Sequence, residues 1–479
     1  MDLPHIVVLG AGPAGVGAAY ELRRAGKAKV TVLEQQGAVG GNAGSFEAAG
    51  QRLDYGSHRL HPASDPRILR DIQELLGGDL LLRPRRGRIR LRGKWIHFPL
   101  KPVDLFLRLD RGFAAGVMRD MVARRLTGGT NGGALPPESF ASVLRASLGP
   151  TICDDFYFPY ARKIWGRSPQ ELSAIQARRR VSASSFGKLA RKVISQIPGL
   201  KPPGAGQFYY PRRGFGQISE GYADAARRNG AELMLGWKVT GVERASGAGD
   251  RWVVEASRGA ETRRIEADFV WSTLPISLLA RLVRPAAPRE VLDAAGGIDY
   301  RSMMLVYLHL DVDRFTDFYD AHYFPGADIR ITRLSEPKNY AALDEPRGRT
   351  TLCAELPCSP DDPWWSMEDA ALGTLVSEDL ARAGLPLSRP PASVTVKRLR
   401  HAYPIYLTGY EGPFGVLDAW SESMPGLLTY GRQGLFAHDN THHALAMAYA
   451  AAECLDGDRF DDARWRRYRE VFATHVVED

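Results

Sequence analysis

Apolar positions along the chain change period at its start, and the change predicts a unit. Residues 5–10 form a continuous apolar run closed by Gly10, the pattern of a strand buried on both faces. Residues 13–26 carry apolar positions at helical spacing and open on Pro13, where a helix tolerates proline. Residues 29–34 are a second short apolar strand. Strand, helix and strand in succession predict a βαβ unit with a parallel pair.

Helical patterns follow at 66–76 and 102–126. The stretch 127–137, TGGTNGGALPP, has loop composition, and 198–206 is a second Pro/Gly loop. Residues 136–182 read as helix with breaks and 214–229 as a helix. Strands are expected at 232–243, 252–256 and 268–272. Residues near 301–312 and 350–357 alternate or run apolar, as sheet does, and 438–455 closes the chain as a helix. The pattern predicts an α/β fold with a discontinuous Rossmann-like domain from 1–75, 205–290 and 415–479. Between its pieces lie a mainly helical lobe, 76–204, and a sheet-containing substrate lobe, 291–414. A chain of 479 residues exceeds one simple core, which agrees with several lobes.

Composition narrows the class. Hydrophobic residues make up 44% and charged ones 25%, ordinary values for a globular protein. No apolar run is long enough to span a membrane. Residues 1–5 lack a basic n-region and a cleavage site, and the four cysteines form no C-x-x-C pair; both predict a cytoplasmic protein with reduced thiols. The net charge of +8 has no zinc-finger, basic-heptad or RNA-binding signature beside it, so anionic small molecules are expected as partners rather than nucleic acid.

Gly10-Ala11-Gly12-Pro13-Ala14-Gly15 is a G-x-G-x-x-G placed between strand and helix. Gly10 permits the turn, Gly12 lets backbone N–H groups approach a pyrophosphate, and Gly15 lets the helix pack on the strand. The helix N-terminus favours phosphate, and Glu34, at the end of the second strand, can accept from ribose hydroxyls. Gly40-Gly41-Asn42 follows shortly after. This glycine pair resembles that of the glutathione-reductase-like FAD families, which include amine oxidases, protoporphyrinogen oxidases and UDP-galactopyranose mutases. The resemblance implies FAD, with Val239, Asn440 and Thr441 also at the cofactor.

Further segments resemble the UDP-galactopyranose mutases in particular. Residues 53–61, LDYGSHRLH, resemble the segment that sets a histidine against the flavin, which implies that role for His58. The His58-x-x-His61 spacing suits a metal, but no further ligand cluster accompanies it, and no metal is expected. Residues 90–100 resemble a mutase hairpin, and their alternating charges equally suit a ribbon with one solvated basic face. Residues 160–174, YARKIWGRSPQELSA, resemble the mutase substrate segment; this implies Trp165 at the substrate and Arg179, within an Arg-Arg-Arg run, at the diphosphate. Residues 332–340 resemble the segment of a second phosphate-binding arginine, here Arg333. Residues 401–406 resemble the step whose tyrosine meets the diphosphate, which implies that role for Tyr403, and Gly431-Arg432-Gln433-Gly434 resembles the closing segment, which implies Arg432 beside the flavin.

Four positions depart from the mutases: Phe436 and Ala437 replace an aromatic and usually an arginine, His438 stands for a phosphate-binding tyrosine and Asn440 for an aspartate. The sugar pocket is therefore altered. What the resemblance implies is an FAD enzyme interconverting ring forms of a nucleotide-diphosphate sugar, with N5 of reduced flavin as nucleophile. His58, Arg179, Arg333 and Tyr403 are its catalytic candidates, and Trp165 and His438 join the last three at the substrate. The alternatives are an FAD oxidase or dehydrogenase of the protoporphyrinogen or amine oxidase kind, or a flavin binder without catalysis. The first shares the fingerprint but has little use for the Trp165, Arg179, Arg333 and Tyr403 set.

Overall fold

The computed structural model describes residues 3–62, 64–98, 104, 108, 110–126, 138–180, 206–244, 251–341, 343 and 345–477. The expected loop 127–137 and nearly all of 198–206 lie outside them.

The fingerprint strand His5–Leu9 is the centre of a parallel five-stranded sheet. Lys29–Glu34 and Glu232–Leu235 lie on one side of it, Phe269–Ser272 and Leu427–Thr429 on the other. A parallel sheet needs cover on both faces. On one face Ile6 and Val8 join a core with the helices Pro13–Arg24, Gln217–Arg228 and Thr441–Cys454. On the other, Val7, Leu9 and Leu33 share a core with Trp237 and with Val239, Trp252 and Val254 of a second, four-stranded sheet. The helix Pro13–Arg24 approaches Thr441–Cys454 closely because Gly17 has no side chain: a Cβ there would lie 2.8 Å from Leu445 Cδ2.

Residues 232–243 do not form the single strand expected of them. The run breaks at Gly236, whose φ of 76° is easy for glycine alone, and its halves enter different sheets as Glu232–Leu235 and Lys238–Arg244. The hairpin that residues 90–100 resemble is present as Gly87–Leu91 and Lys94–Phe98, and it extends a seven-stranded mixed sheet. Its parallel pairing with Ala321–Tyr323 is a contact between distant segments that local periodicity does not reveal. Within the span read as mainly helical, the helices Phe140–Leu148, Phe158–Trp165 and Ala174–Arg180 share a core with Ile405 at the far edge of that sheet.

The seven-stranded sheet carries the site on one face. Leu352, Ala354 and Leu356 of strand Thr350–Cys358 pack into the core beneath helix Asp369–Arg382. The alternate residues Cys353 and Glu355 therefore face the other way. Register does the rest. Tyr323 is paired with Arg333, Arg333 with Glu355, Glu355 with Leu305, and Leu305 with Lys397, which makes one row across five strands.

Candidate active site

A cleft of about 1170 Å³ runs between the parallel sheet and the seven-stranded sheet. It exceeds the roughly 300–1,000 Å³ usual for a drug-sized ligand, which leaves room for a dinucleotide and a second molecule.

One end is built by the fingerprint. Gly10 has a φ of 98°, and its N–H donates to Leu33 O at 2.8 Å. A Cβ on Gly15 would lie 1.9 Å from Gly10 O, so that glycine is required by packing, whereas a Cβ on Gly12 would meet nothing within 4 Å. Gly40, with a φ of 112°, donates from its N–H to Ala11 O at 2.8 Å, and Gly41 packs against Gly12. The two glycine segments thus form one cradle. The Glu34 carboxylate ties it together, accepting from Ala11 N at 2.9 Å and Gln36 N at 2.8 Å. Gly10, Gly12, Pro13, Ala14, Glu34, Gly41, Asn42 and Val239 line the cleft; Gly15 and Gly40 stand behind it. Asn440 and Thr441 line it where helix Thr441–Cys454 begins, with Asn440 and His443 forming a capping box. Two helix N-termini and an open cradle at Gly12 are what a bound pyrophosphate requires. The residues present fit FAD.

The other end is the cross-strand row. Glu355 Oε1 accepts from Arg333 Nε at 2.9 Å, from Arg333 Nη2 at 2.7 Å and from Ser57 N at 3.1 Å. Among the described residues no acceptor meets Arg333 Nη1. Burial opposes the charge on Arg333, but Glu355, Tyr323 and Tyr403 outweigh it and hold its pKa well above the ordinary value. Tyr403 lines the cleft beneath Arg432, whose guanidinium carbon is 4.8 Å from the tyrosine ring and which donates to Ala402 O at 2.8 Å. His438 also lines the cleft and stacks on Tyr403 with ring centres 6.4 Å apart.

His58 lines the cleft with a ring nitrogen 2.9 Å from Tyr55 O. Burial lowers its pKa, Asp54 acts in the opposite direction and Arg333 reinforces the fall. The ring is therefore neutral near pH 7 and acts as a dipole rather than a charge. Its loop is anchored by Asp54, a fully buried carboxylate that accepts from Ser45 Oγ at 2.6 Å, Tyr210 Oη at 2.6 Å and Phe215 N at 2.8 Å. Burial raises the Asp54 pKa despite those bonds.

Two expected substrate residues stand outside the cleft wall. Trp165 is buried behind it, edge-on to His438 at 5.0 Å and to Tyr403 at 5.8 Å, and so supports the wall. Arg179 donates to Tyr406 Oη at 3.1 Å and Ala473 O at 3.3 Å. The segment 473–477 holds it there: Val477 N donates to Arg179 O at 3.0 Å, and His475 reaches Asp439 at 3.3 Å. That contact has no local sequence signal. Asp439, His443 and His475 bring possible metal-ligand atoms within 4.8 Å of one another, a cluster the sequence did not suggest. Arg179 and a helix N-terminus make its surroundings positive, so it is better described as the anchor of this segment.

Sequence reasoning also passed over Glu355, Tyr323, Arg59 and Asp54. Glu355 did have a signal: it is a lone acid within the apolar run TTLCAELPC.

The histidines near the site give a pH prediction. Burial lowers the pKa of His322 and His442 to about 3 and that of His443 to about 4, with Arg88, His443 and His475 respectively adding to it. Each folded value lies below the unfolded value of about 6.5, so the unfolded chain binds more protons between them. Stability is expected to fall as pH drops from about 6.5 toward 4. Thermal melts at pH 7.5 and 5 should differ, with a smaller difference in His322→Leu. Identical pH dependence in that variant would show that His322 does not contribute.

Residues 13–445 match the family described as flavin containing amine oxidoreductase. The chain belongs to that family. FAD is accordingly its cofactor. Among solved structures, reduced UDP-galactopyranose mutase is similar over 100% of this chain and 99% of its own, with a TM-score of 0.81 at 19% identity. Curated relatives of this amine oxidoreductase family member are redox enzymes. Phytoene dehydrogenase of Streptomyces griseus is 26% identical over 65% of this chain, and the match spans only 61% of that relative. Coproporphyrinogen III oxidase of Propionibacterium freudenreichii subsp. freudenreichii is 24% identical over 87% of this chain and 84% of its own. No helix among the described residues is long and apolar enough to cross a membrane.

Proposed function

We propose that this family member interconverts ring forms of a nucleotide-diphosphate sugar. The observation that carries the reading is Arg333, a buried guanidinium in the cleft wall with its charge secured by Glu355 and Nη1 left for a ligand. Planar donors of this kind match the oxygens of a diphosphate, and a leaving diphosphate gathers charge as its bond to the sugar breaks. Tyr403 stands beside Arg333 to orient the same group, and neutral His58 positions the ring without competing for the anion. Bound FAD, when reduced, supplies the nucleophilic nitrogen for the anomeric carbon. The fingerprint, Glu34, Val239, Arg432, Asn440 and Thr441 would hold it. Whole-length likeness to a mutase supports the reading, as do the cations Lys397, Arg398 and Arg400 along the cleft. Four buried thiols without a disulfide agree with a cytoplasmic setting.

The second reading is an FAD oxidase or dehydrogenase. Two observations favour it: the activities named for the curated relatives, and the position of Arg179 away from the cleft. UDP binding separates the two. Measured by calorimetry on FAD-loaded protein under anaerobic conditions, UDP is expected to bind, and to bind more tightly after dithionite reduction. No binding of UDP, GDP or TDP in either state would remove the diphosphate site and leave the redox reading.

A further inference from the structure

We propose that Arg59 forms a second anion subsite beside Arg333 and takes a carboxylate on the sugar, which makes the substrate class nucleotide-diphosphate sugar acids. The inference rests on the reading of Arg333 as a diphosphate ligand. Arg59, Tyr323 and Arg333 all line the cleft. Arg59 Nη1 donates to Tyr323 Oη at 3.2 Å, and the Arg333 guanidinium carbon is 6.0 Å from the same ring.

Arg59 is built into place. Its side chain is 9% exposed, and Asp320, at 3%, accepts from its Nη2 at 2.9 Å. Asp320 is not part of the cleft wall; it also accepts from Arg86 N at 3.2 Å and so anchors the guanidinium from behind. The Phe208 ring, fully buried, lies 4.9 Å from the guanidinium carbon and fixes its plane. Arg59 Nε meets no acceptor among the described residues.

A buried ion pair is a poor way to stabilise a fold, because apolar side chains of similar volume do as well or better. Placed in a cleft wall, with one donor unmet, the pair is better explained by a ligand. The ligand's chemistry follows from how the guanidinium is held. Tyr323 and Asp320 each take one N–H, from Nη1 and Nη2, and Phe208 fixes the plane. What remains is a fixed, planar set of N–H donors, which suits a planar carboxylate. The diphosphate falls to Arg333 and Tyr403, and the carboxylate to Arg59.

The test compares UDP, UDP-glucose and UDP-glucuronate by calorimetry on the reduced, FAD-loaded protein. UDP-glucuronate is expected to bind at least tenfold more tightly than UDP-glucose. Arg59→Met should abolish that ratio while UDP affinity stays within twofold. The double variant Arg59→Met/Asp320→Asn avoids stranding Asp320 and is expected to behave alike if the single variant fails to fold. Equal binding of the two sugars, with UDP still bound, would overturn the subsite and leave the reading of Arg333 standing. A preference that persists in both Arg59 variants would also overturn it. Absence of UDP binding would overturn the subsite and the diphosphate reading together.

Discussion

Gly12→Val is expected to give a folded but colourless protein. Gly12 and Gly15 of the fingerprint have different tasks, and the structure separates them. Gly12 precedes helix Pro13–Arg24 with φ −70° and ψ 178°, an extended conformation open to valine, and a Cβ there touches no protein atom. A side chain at this point projects into the cradle where the FAD pyrophosphate belongs. Melting of the variant should match that of wild-type apoprotein, and the flavin absorbance should be absent after purification. Gly15→Val provides the contrast: its Cβ would lie 1.9 Å from Gly10 O, so the strand–helix turn itself must distort and little folded protein is expected. A yellow Gly12→Val protein would contradict the placement of FAD in this cradle.

Arg333→Ala should weaken UDP binding at least tenfold, about 1.4 kcal/mol, while FAD stays bound. The same change leaves Glu355 buried beside Ser57 without its cation, and breaking a buried pair in this way costs about 3–5 kcal/mol of stability. A loss of binding could therefore be confused with partial unfolding. Arg333→Met/Glu355→Gln removes both charges; it should recover most of the melting temperature and none of the affinity. Full UDP affinity in that double variant would take Arg333 out of the site.

The glycine-rich end of the cleft was legible because its information is local. Strand, glycine turn, helix and terminal acid are contiguous between residues 5 and 34, and the roles of Gly10, Gly12, Gly15 and Glu34 depend on backbone conformation that the residues themselves dictate. Arg333, Tyr403, His58 and His438 were reached through resemblance, and the structure lines the cleft with all four. Arg179 shows where that route ends. Its segment resembles a substrate segment, but residues 473–477, almost three hundred positions away in the chain, bind its guanidinium and its carbonyl.

The sequence by itself determined the parallel βαβ unit, the phosphate cradle and the apolar strands of the second sheet. Periodicity and turn chemistry act over a few residues, so they survive without knowledge of the partner strands. Tertiary structure alone decided the pairing of the partners. Strand register set Tyr323, Arg333, Glu355 and Lys397 in one row, and the fold brought Asp320 behind Arg59. A one-residue slip in any of those strands would turn its side chain away from the cleft. The charge balance of the site is therefore a property of long-range pairing, which no local pattern encodes.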